Sequence, residues 1–484
     1  MKSPSRRVRV VLAFSAHEPM SARRLPASAL GRLVAVAEAL SAPVSLAISN
    51  ELAHQLHRDL PDTFAELQRG YAQGHVRPLY TPAHRAPSAL LSPDELADEL
   101  RLNEECVHGL LGAPLPTRRG VLFSAGEIDP RLVPTVEERG VDFTLCPRGA
   151  VKAGDASYDY SHRPFRVGER LIALPLHDAP LPPDRDASVV AIRNVLAGAP
   201  AGSVVVFLHR LDELELVRHA WGVLKDEVPD TFELTAPAEL LEADEVTPPW
   251  LPLVELEARA DCVHGWEGGR FVTGTLEWLV AAFGFQSTPP LGADALFEQD
   301  YQLERLPPRA QVPMLLRLVK AGCAESLDGE AGVSKRPYLD GFRICDVLDA
   351  ECQLADTQPA VPGPLAPGLL EGLARMPELI VDPRVVWLQI ELEQMQVERG
   401  LQQSAGFAEL DRARASRQRA DEELSGALQA YAELRDHQFH GRSRWRALLQ
   451  GLRDYLGSVC VALDYLERAA AAPADPPTAR ALSA

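Results

Sequence analysis

Along the first half of the chain, short apolar runs rich in β-branched residues alternate with longer stretches whose apolar positions recur at helical spacing. The short runs predict strands at residues 8–14, 44–49, 76–81, 120–124, 142–146, 171–175 and 203–209. Helical patterns at 29–40, 51–73, 93–111, 130–139 and 213–227 separate most of them. Strand, helix, strand repeated in this way needs crossover connections, and therefore a parallel sheet. Seven strands within about 210 residues fit a closed or nearly closed β/α barrel better than a doubly wound sheet. Dinucleotide binding is disfavoured, because Phe14 is followed by Ser15-Ala16-His17-Glu18-Pro19 and not by a glycine-rich turn.

From about Asp261 the strand-like runs stop and helical patterns take over, at 273–285, 313–320, 340–355, 369–376 and 385–399. Two further helices follow Gly400. In the second, Trp445, Leu448, Leu452, Tyr455, Val459, Leu463 and Leu466 form an apolar stripe. Packing against neighbouring helices is the plainer account of that stripe, and a dimerising hairpin is the alternative. The fold class expected is thus α/β, a (β/α)7-type parallel barrel followed by an all-α C-terminal region. Its parts are a barrel at 1–255, a helical domain at 256–356 packing on it, a proline-rich linker at 357–367, a helical segment at 368–470 and a disordered tail at 471–484.

Composition narrows the partners. The 484 residues are 46% hydrophobic and 24% charged, the balance of a folded globular protein. Acidic residues outnumber basic ones 68 to 49, and a net charge of -19 repels polyanions, which disfavours nucleic acid. No run reaches the roughly 18–20 uninterrupted apolar residues of a membrane span. The basic start of the chain imitates a signal peptide, but Arg9 interrupts the apolar run and His17-Glu18-Pro19 stands where small residues should. Seven scattered cysteines with no CxxC pair suggest buried thiols in a reducing compartment, so a cytoplasmic protein is expected.

In a β/α barrel the reactive groups sit at the C-terminal ends of the strands. Strand one runs into His17-Glu18-Pro19, strand three into Thr81-Pro82-Ala83-His84, strand four into Ser124-Ala125-Gly126-Glu127, and the last barrel strand into His209-Arg210-Leu211-Asp212-Glu213. Taken singly, His17 and His84 read as hydrogen-bonded structural histidines, and Asp212-Glu213 as a helix cap and first turn. Asp129 before Pro130 reads as a cap too. Glu127 is different, because it ends an apolar strand where no cap calls for a carboxylate. Two carboxyl groups across a barrel mouth can cleave or transfer a glycoside, one attacking the anomeric carbon while the other protonates the leaving oxygen.

With these residues the chain resembles glycoside hydrolase family 57, the α-glucan-active group of 4-α-glucanotransferases, amylases and branching enzymes. His17-Glu18-Pro19 is similar to the family's His-Gln-Pro, and Gly74-His75-Val76-Arg77 with Thr81-Pro82-Ala83-His84 to its second motif. Glu127 occupies the place of the nucleophilic glutamate, and His209-Arg210-Leu211-Asp212-Glu213 is similar to the family's His-Asp-Asp-Gly-Glu. The likeness runs over about residues 8–355. It implies a retaining mechanism with Glu127 as nucleophile and Asp212 as acid/base. His17, Glu18, His84, His209 and Glu213 would bind substrate, with no cofactor and no metal. An α-glucan or oligosaccharide is the implied partner, and self-association would run through the C-terminal helices.

Departures from the pattern keep alternatives open. Without a gap, Leu211 takes the acid/base place, and one residue of shift restores Asp212. Arg77 replaces the second-motif glutamate, Ser326-Leu327-Asp328 replaces an aromatic fifth motif, and aromatic residues are only 6% of the chain. A catalytically degenerate carbohydrate-binding or scaffold relative is the first alternative. A zinc polysaccharide deacetylase, with ligands drawn from His54, His57 and His17, is the second.

Overall fold

Each of the seven predicted runs contains a strand in the structure. This is a computed structural model that describes residues 7–16, 28–123, 126, 128–155, 157–177, 179, 181–242, 251, 253–256, 276–277, 279–280, 308–325, 336–354, 407–436 and 442–471. The predicted helices at 369–376 and 385–399, the linker at 357–367 and the tail beyond Ala471 lie outside the described residues. The chain divides into two compact units, residues 1–260 with 290–299, and 261–289 with 300–484.

In the first unit the strands are β1 (Val8–Ala16), β2 (Val44–Ile48), β3 (Val76–Leu79), β4 (Gly120–Val121), β5 (Phe143–Pro147), β6 (Val151–Ala153), β7 (Phe165–Arg166), β8 (Ile172–His177), β9 (Val204–Arg210), β10 (Phe232–Leu234) and β11 (Glu255–Leu256). Its helices are α1 (Ser28–Leu40), α2 (Asn50–Asp59), α3 (Pro61–Gln73), α4 (Pro93–Glu105), α5 (Val133–Glu138), α6 (Arg185–Gly198), α7 (Leu214–Glu227) and α8 (Pro237–Glu242). The helical pattern at 51–73 is two helices, because Pro61 forces a break at Leu60 and opens the second at its first turn. Helix α6 has no counterpart among the predicted helices.

The main sheet runs β3-β2-β1-β9-β8-β5-β4, and every neighbouring pair on that path is parallel. Tyr80, just past β3, then bridges to Val121 of β4. Its N–H donates to the Gly120 carbonyl at 2.8 Å, and Leu122 N–H donates to the Tyr80 carbonyl at 2.7 Å. The seven-strand ring is thereby closed. β10 lies along the start of β1, and β7 makes an antiparallel edge on β8. Outside the ring, Glu104 of α4 pairs with Arg119, at the start of β4, and with Arg139 at 3.0 Å, which ties the crossover helix to the closing strand.

Strand alternation sorts the side chains into two layers. Val11, Ala13, Ala47, Leu79, Leu122, Phe143, Leu145, Leu174, Leu176, Val204 and Val206 fill the barrel, joined by Leu240 and Leu241 of α8. Val10, Leu12, Phe14, Leu46, Val205 and Phe207 face outward, packed with Trp221 of α7 and with apolar residues of α1 to α3. Inside, Gly120 stands opposite Phe143 in the β4–β5 register, and a Cβ there would lie 2.1 Å from the ring's Cζ. Phe143 therefore occupies the space that a side chain at 120 would need.

In the second unit the described helices include α9 (Pro308–Glu325), α10 (Arg336–Leu354), α11 (Phe407–Asp436) and α12 (Arg442–Ala471). Trp445, Leu448, Leu452, Tyr455, Val459 and Leu463 of α12 are buried in one cluster with Leu315, Tyr338, Leu348, Leu410 and Leu424. That stripe is spent on intramolecular packing, the plainer of its two accounts. No described helix is long and apolar enough to cross a membrane.

The closure makes a prediction. Gly120→Val should cost about 1–3 kcal/mol in urea unfolding through overpacking against Phe143. Adding Phe143→Leu should recover part of that cost as a non-additive pair. An unchanged midpoint in the single variant, or strict additivity in the pair, would refute the packing.

Candidate active site at the barrel mouth

The C-terminal ends of the seven strands define the mouth, and the inward set at that end is the candidate site. The alternation that points Val11 and Ala13 inward places Ser15 on the same side, and that of Val204 and Val206 places Arg210 there. Ser15 and Arg210 are partners in the β1–β9 register, so one half of the described mouth carries a hydroxyl and a guanidinium. Above β5 and β8 the mouth is lined by Pro147 and Leu176, also register partners. Gly126 folds over them: its φ is +70°, and a Cβ built on it would lie 2.6 Å from Leu176 and 3.0 Å from Pro147. Only glycine meets both demands without strain.

The sequence-predicted residues separate into three groups. His17, Glu18 and Glu127 lie outside the described residues. Asp212 is described in its main chain, in the single 3-10 turn Leu211–Glu213 directly after β9. His84, His209 and Glu213 are all described, and all three are buried.

His209 does not face the mouth. One residue out of phase with Val206 and Leu208, it lies in the outer layer, stacked on Phe207 at 6.0 Å between ring centroids and tilted against Phe14 at 5.7 Å. Its Nε2 accepts the Trp221 indole N–H at 3.5 Å, and its Nδ1 is 3.6 Å from Glu213 Oε2. A buried ring stacked on Phe207 and bonded through Nε2 to Trp221 serves the fold. Glu213 likewise works as a tie. Its carboxylate accepts the Leu181 N–H at 3.1 Å and the Arg210 N–H at 3.2 Å, joining the loop after β8 to the turn after β9. Burial alone would raise the Glu213 carboxyl, but the His209 ring and these two N–H donors hold it below the usual carboxylate range.

His84 belongs to a polar cluster that sequence reasoning missed. Its Nδ1 is 2.8 Å from Glu99 Oε1, and its N–H donates to Glu99 Oε2 at 2.8 Å. One turn further along α4, Asn103 accepts the Thr81 N–H at 3.1 Å and donates to the Ile48 carbonyl at 3.0 Å and to Asn50 Oδ1 at 2.8 Å. Asn50 N–H reaches the Ala83 carbonyl at 3.1 Å, and Ser49 N–H reaches the Ala16 carbonyl at 3.1 Å. The ends of β2 and β3 are thus held to one helix, and β1 is joined to β2 through Ser49. The signal was available: Glu99 and Asn103 share the face of α4 that carries Leu96 and Leu100, where a polar side chain needs a buried partner.

The other landmarks keep to structural roles. Asp129 caps the turn that Pro130 opens, accepting the Arg131 N–H at 2.9 Å. Arg77 is 3.6 Å from Glu239 of α8, half-exposed. His54 and His57 lie one turn apart on α2, where burial first and the His57 charge second pull His54 down to about 4. Among the described residues no group of three His, Cys, Asp or Glu side chains is placed to hold a metal.

No protein-family model matches the chain, and no curated protein matches it. Among solved structures it is similar to the 4-α-glucanotransferase of Thermococcus litoralis, at 11% identity and a TM-score of 0.47 over 71% of this chain and 60% of that one. It is similar to an exo-type maltose-forming amylase of Pyrococcus sp. ST04, at 10% identity and a TM-score of 0.48 over 93% and 95%. A GH57 branching enzyme of Thermococcus kodakaraensis shares 12% identity, with a TM-score of 0.44 over 78% and 96%. The chain spans 60% of the length of the glucanotransferase. No residue role is taken from likenesses at this level.

Glu213 sets a pH-dependent prediction. A carboxyl held below its ordinary value stabilises the fold above that value and loses the effect as pH falls through the lowered one. Glu213→Gln, which mimics the protonated form, should therefore lose about 1–2 kcal/mol in urea unfolding at pH 7. Its gap from wild type should close between about pH 5 and pH 3. A gap independent of pH would show that the charge is not what ties the loops.

Proposed function

We propose that the chain is a retaining α-glucan hydrolase or transferase, with Glu127 as nucleophile, Asp212 as acid/base and His17 and Glu18 orienting the sugar. What supports this reading is the ring order. Two strands, β8 and β5, separate β9 from β4 on one side, and three, β1, β2 and β3, on the other. No two strands of a seven-membered ring stand further apart. In the sequence Asp212 follows β9 and Glu127 follows β4, the two strands that stand across the ring from one another. Gly126, the residue before Glu127, packs on the inward faces of β5 and β8.

In this reading the Glu127 carboxylate attacks the anomeric carbon while the Asp212 carboxyl gives its proton to the departing glycosidic oxygen. Asp212, now a carboxylate, then takes a proton from water or from a sugar hydroxyl. That oxygen attacks the glycosyl–enzyme and releases Glu127. Water yields hydrolysis and a sugar hydroxyl yields transfer. Cys106, Cys146, Cys345 and Cys460 are buried and free of disulfides, which supports a reducing compartment.

A second reading, a degenerate relative that binds glycans without cleaving them, is favoured by the burial of His84, His209 and Glu213 within the fold. Malto-oligosaccharide hydrolysis and disproportionation separate the two. Glu127→Gln and Asp212→Asn should each lower turnover by about 10²–10⁴-fold, with circular dichroism unchanged. An inactive wild type, or Glu127→Gln variants with full turnover, would remove the enzymatic reading.

A further inference from the structure

The pairing of His84 with Glu99 has chemistry that the two proposed acids do not use. Both side chains are fully enclosed, at 0% and 1% exposure. Glu99 takes the His84 N–H on one oxygen, and as an ionised carboxylate, which only accepts hydrogen bonds, it calls for a protonated Nδ1 opposite the other; a neutral carboxyl would instead donate to Nδ1. The main chain there is not relaxed. Arg85, the next residue, has a φ of +56°, in the left-handed region that non-glycine residues enter only at a cost, and its N–H donates to the Pro82 carbonyl at 2.8 Å. Asn103 and Asn50 hold the two sides of the same loop through Thr81 and Ala83. A strained turn so completely tied down is a place where position matters.

We propose that Glu99 is a positioning residue: it fixes His84 as the Nδ1–H tautomer and, with Asn103, locks the turn after β3 to the end of β2, so that this side of the mouth is rigid before substrate arrives. Nε2 of His84 is then the ring's acceptor, and any group it meets must donate. The link to catalysis rests on the α-glucan reading; the tautomer does not.

Glu99→Gln separates position from simple filling. A carboxamide has one accepting and one donating end. Its oxygen takes the His84 N–H, its NH₂ faces Nδ1, and the ring must switch to the Nε2–H form while the loop keeps its bonds. In ¹⁵N spectra of the full chain at pH 7, wild type should show His84 protonated at Nδ1 alone and Glu99→Gln at Nε2 alone. Exchange at the Ser49, Asn50, Thr81 and His84 amides should hold in Glu99→Gln and quicken about tenfold or more in Glu99→Leu, with β9 amides unchanged. On malto-oligosaccharides Glu99→Gln should lower kcat with little change in KM and displace the pH profile. A wild-type ring protonated at Nε2, or the same tautomer in both proteins, overturns the proposal even if Glu99→Leu fails to fold. Wild type inactive on every glucan removes the enzymatic reading, while the ring spectrum still decides this one.

Discussion

Two hydrogen bonds between Tyr80 and the flanks of Val121 convert an open parallel sheet into a ring, and the placement of everything at the mouth follows from that closure. A sheet left open at β3 and β4 would expose unpaired edge groups and leave those strand ends facing solvent. Closed, it makes β4 the far wall from β9. Closure is itself a packing problem, met by small residues where large neighbours intrude: Gly120 yields to Phe143 low in the barrel, and Gly126 yields to Leu176 at the mouth.

Around the mouth, rigidity comes from buried carboxylates and amides that accept main-chain N–H groups. Glu213 joins the turns after β8 and β9, and Glu99 with Asn103 joins those after β2 and β3. A loop N–H withdrawn from water without a partner costs about 1–3 kcal/mol, so these acceptors leave the loops few alternative conformations. One set serves each side of the ring. The described loop ends are thereby set before a ligand is present, as the proposed catalysis by two opposed acids would require.

The barrel strands were legible because a parallel strand covered on both faces reads as an unbroken β-branched run, as Val204-Val205-Val206-Phe207 does. The same property hid which residues face inward. With both faces apolar, alternation carries no sign, so His209 at a strand end looked like a site residue when its phase sends it outward to Trp221. Level along a strand can be read from sequence; facing needs a partner strand. Helix α6 escaped because Arg185-Asp186-Ala187-Ser188 opens it without a clear apolar stripe, although Asp184 caps it by accepting the Ala187 N–H. Glu99 escaped for the opposite reason: it is a polar residue on a helical pattern, and its partner lies fifteen residues back in the chain.

The central claim is that the opposed walls of this ring bring two carboxyl groups to one sugar. Its most direct test is a crystal structure of the Glu127→Gln protein soaked with a malto-oligosaccharide. The account predicts a sugar ring at the C-terminal mouth, with the residue-127 amide and the Asp212 carboxyl about 5–5.5 Å apart on either side of one glycosidic bond. A separation well beyond about 10 Å, or an Asp212 side chain turned to bulk solvent with no sugar beside it, would contradict it.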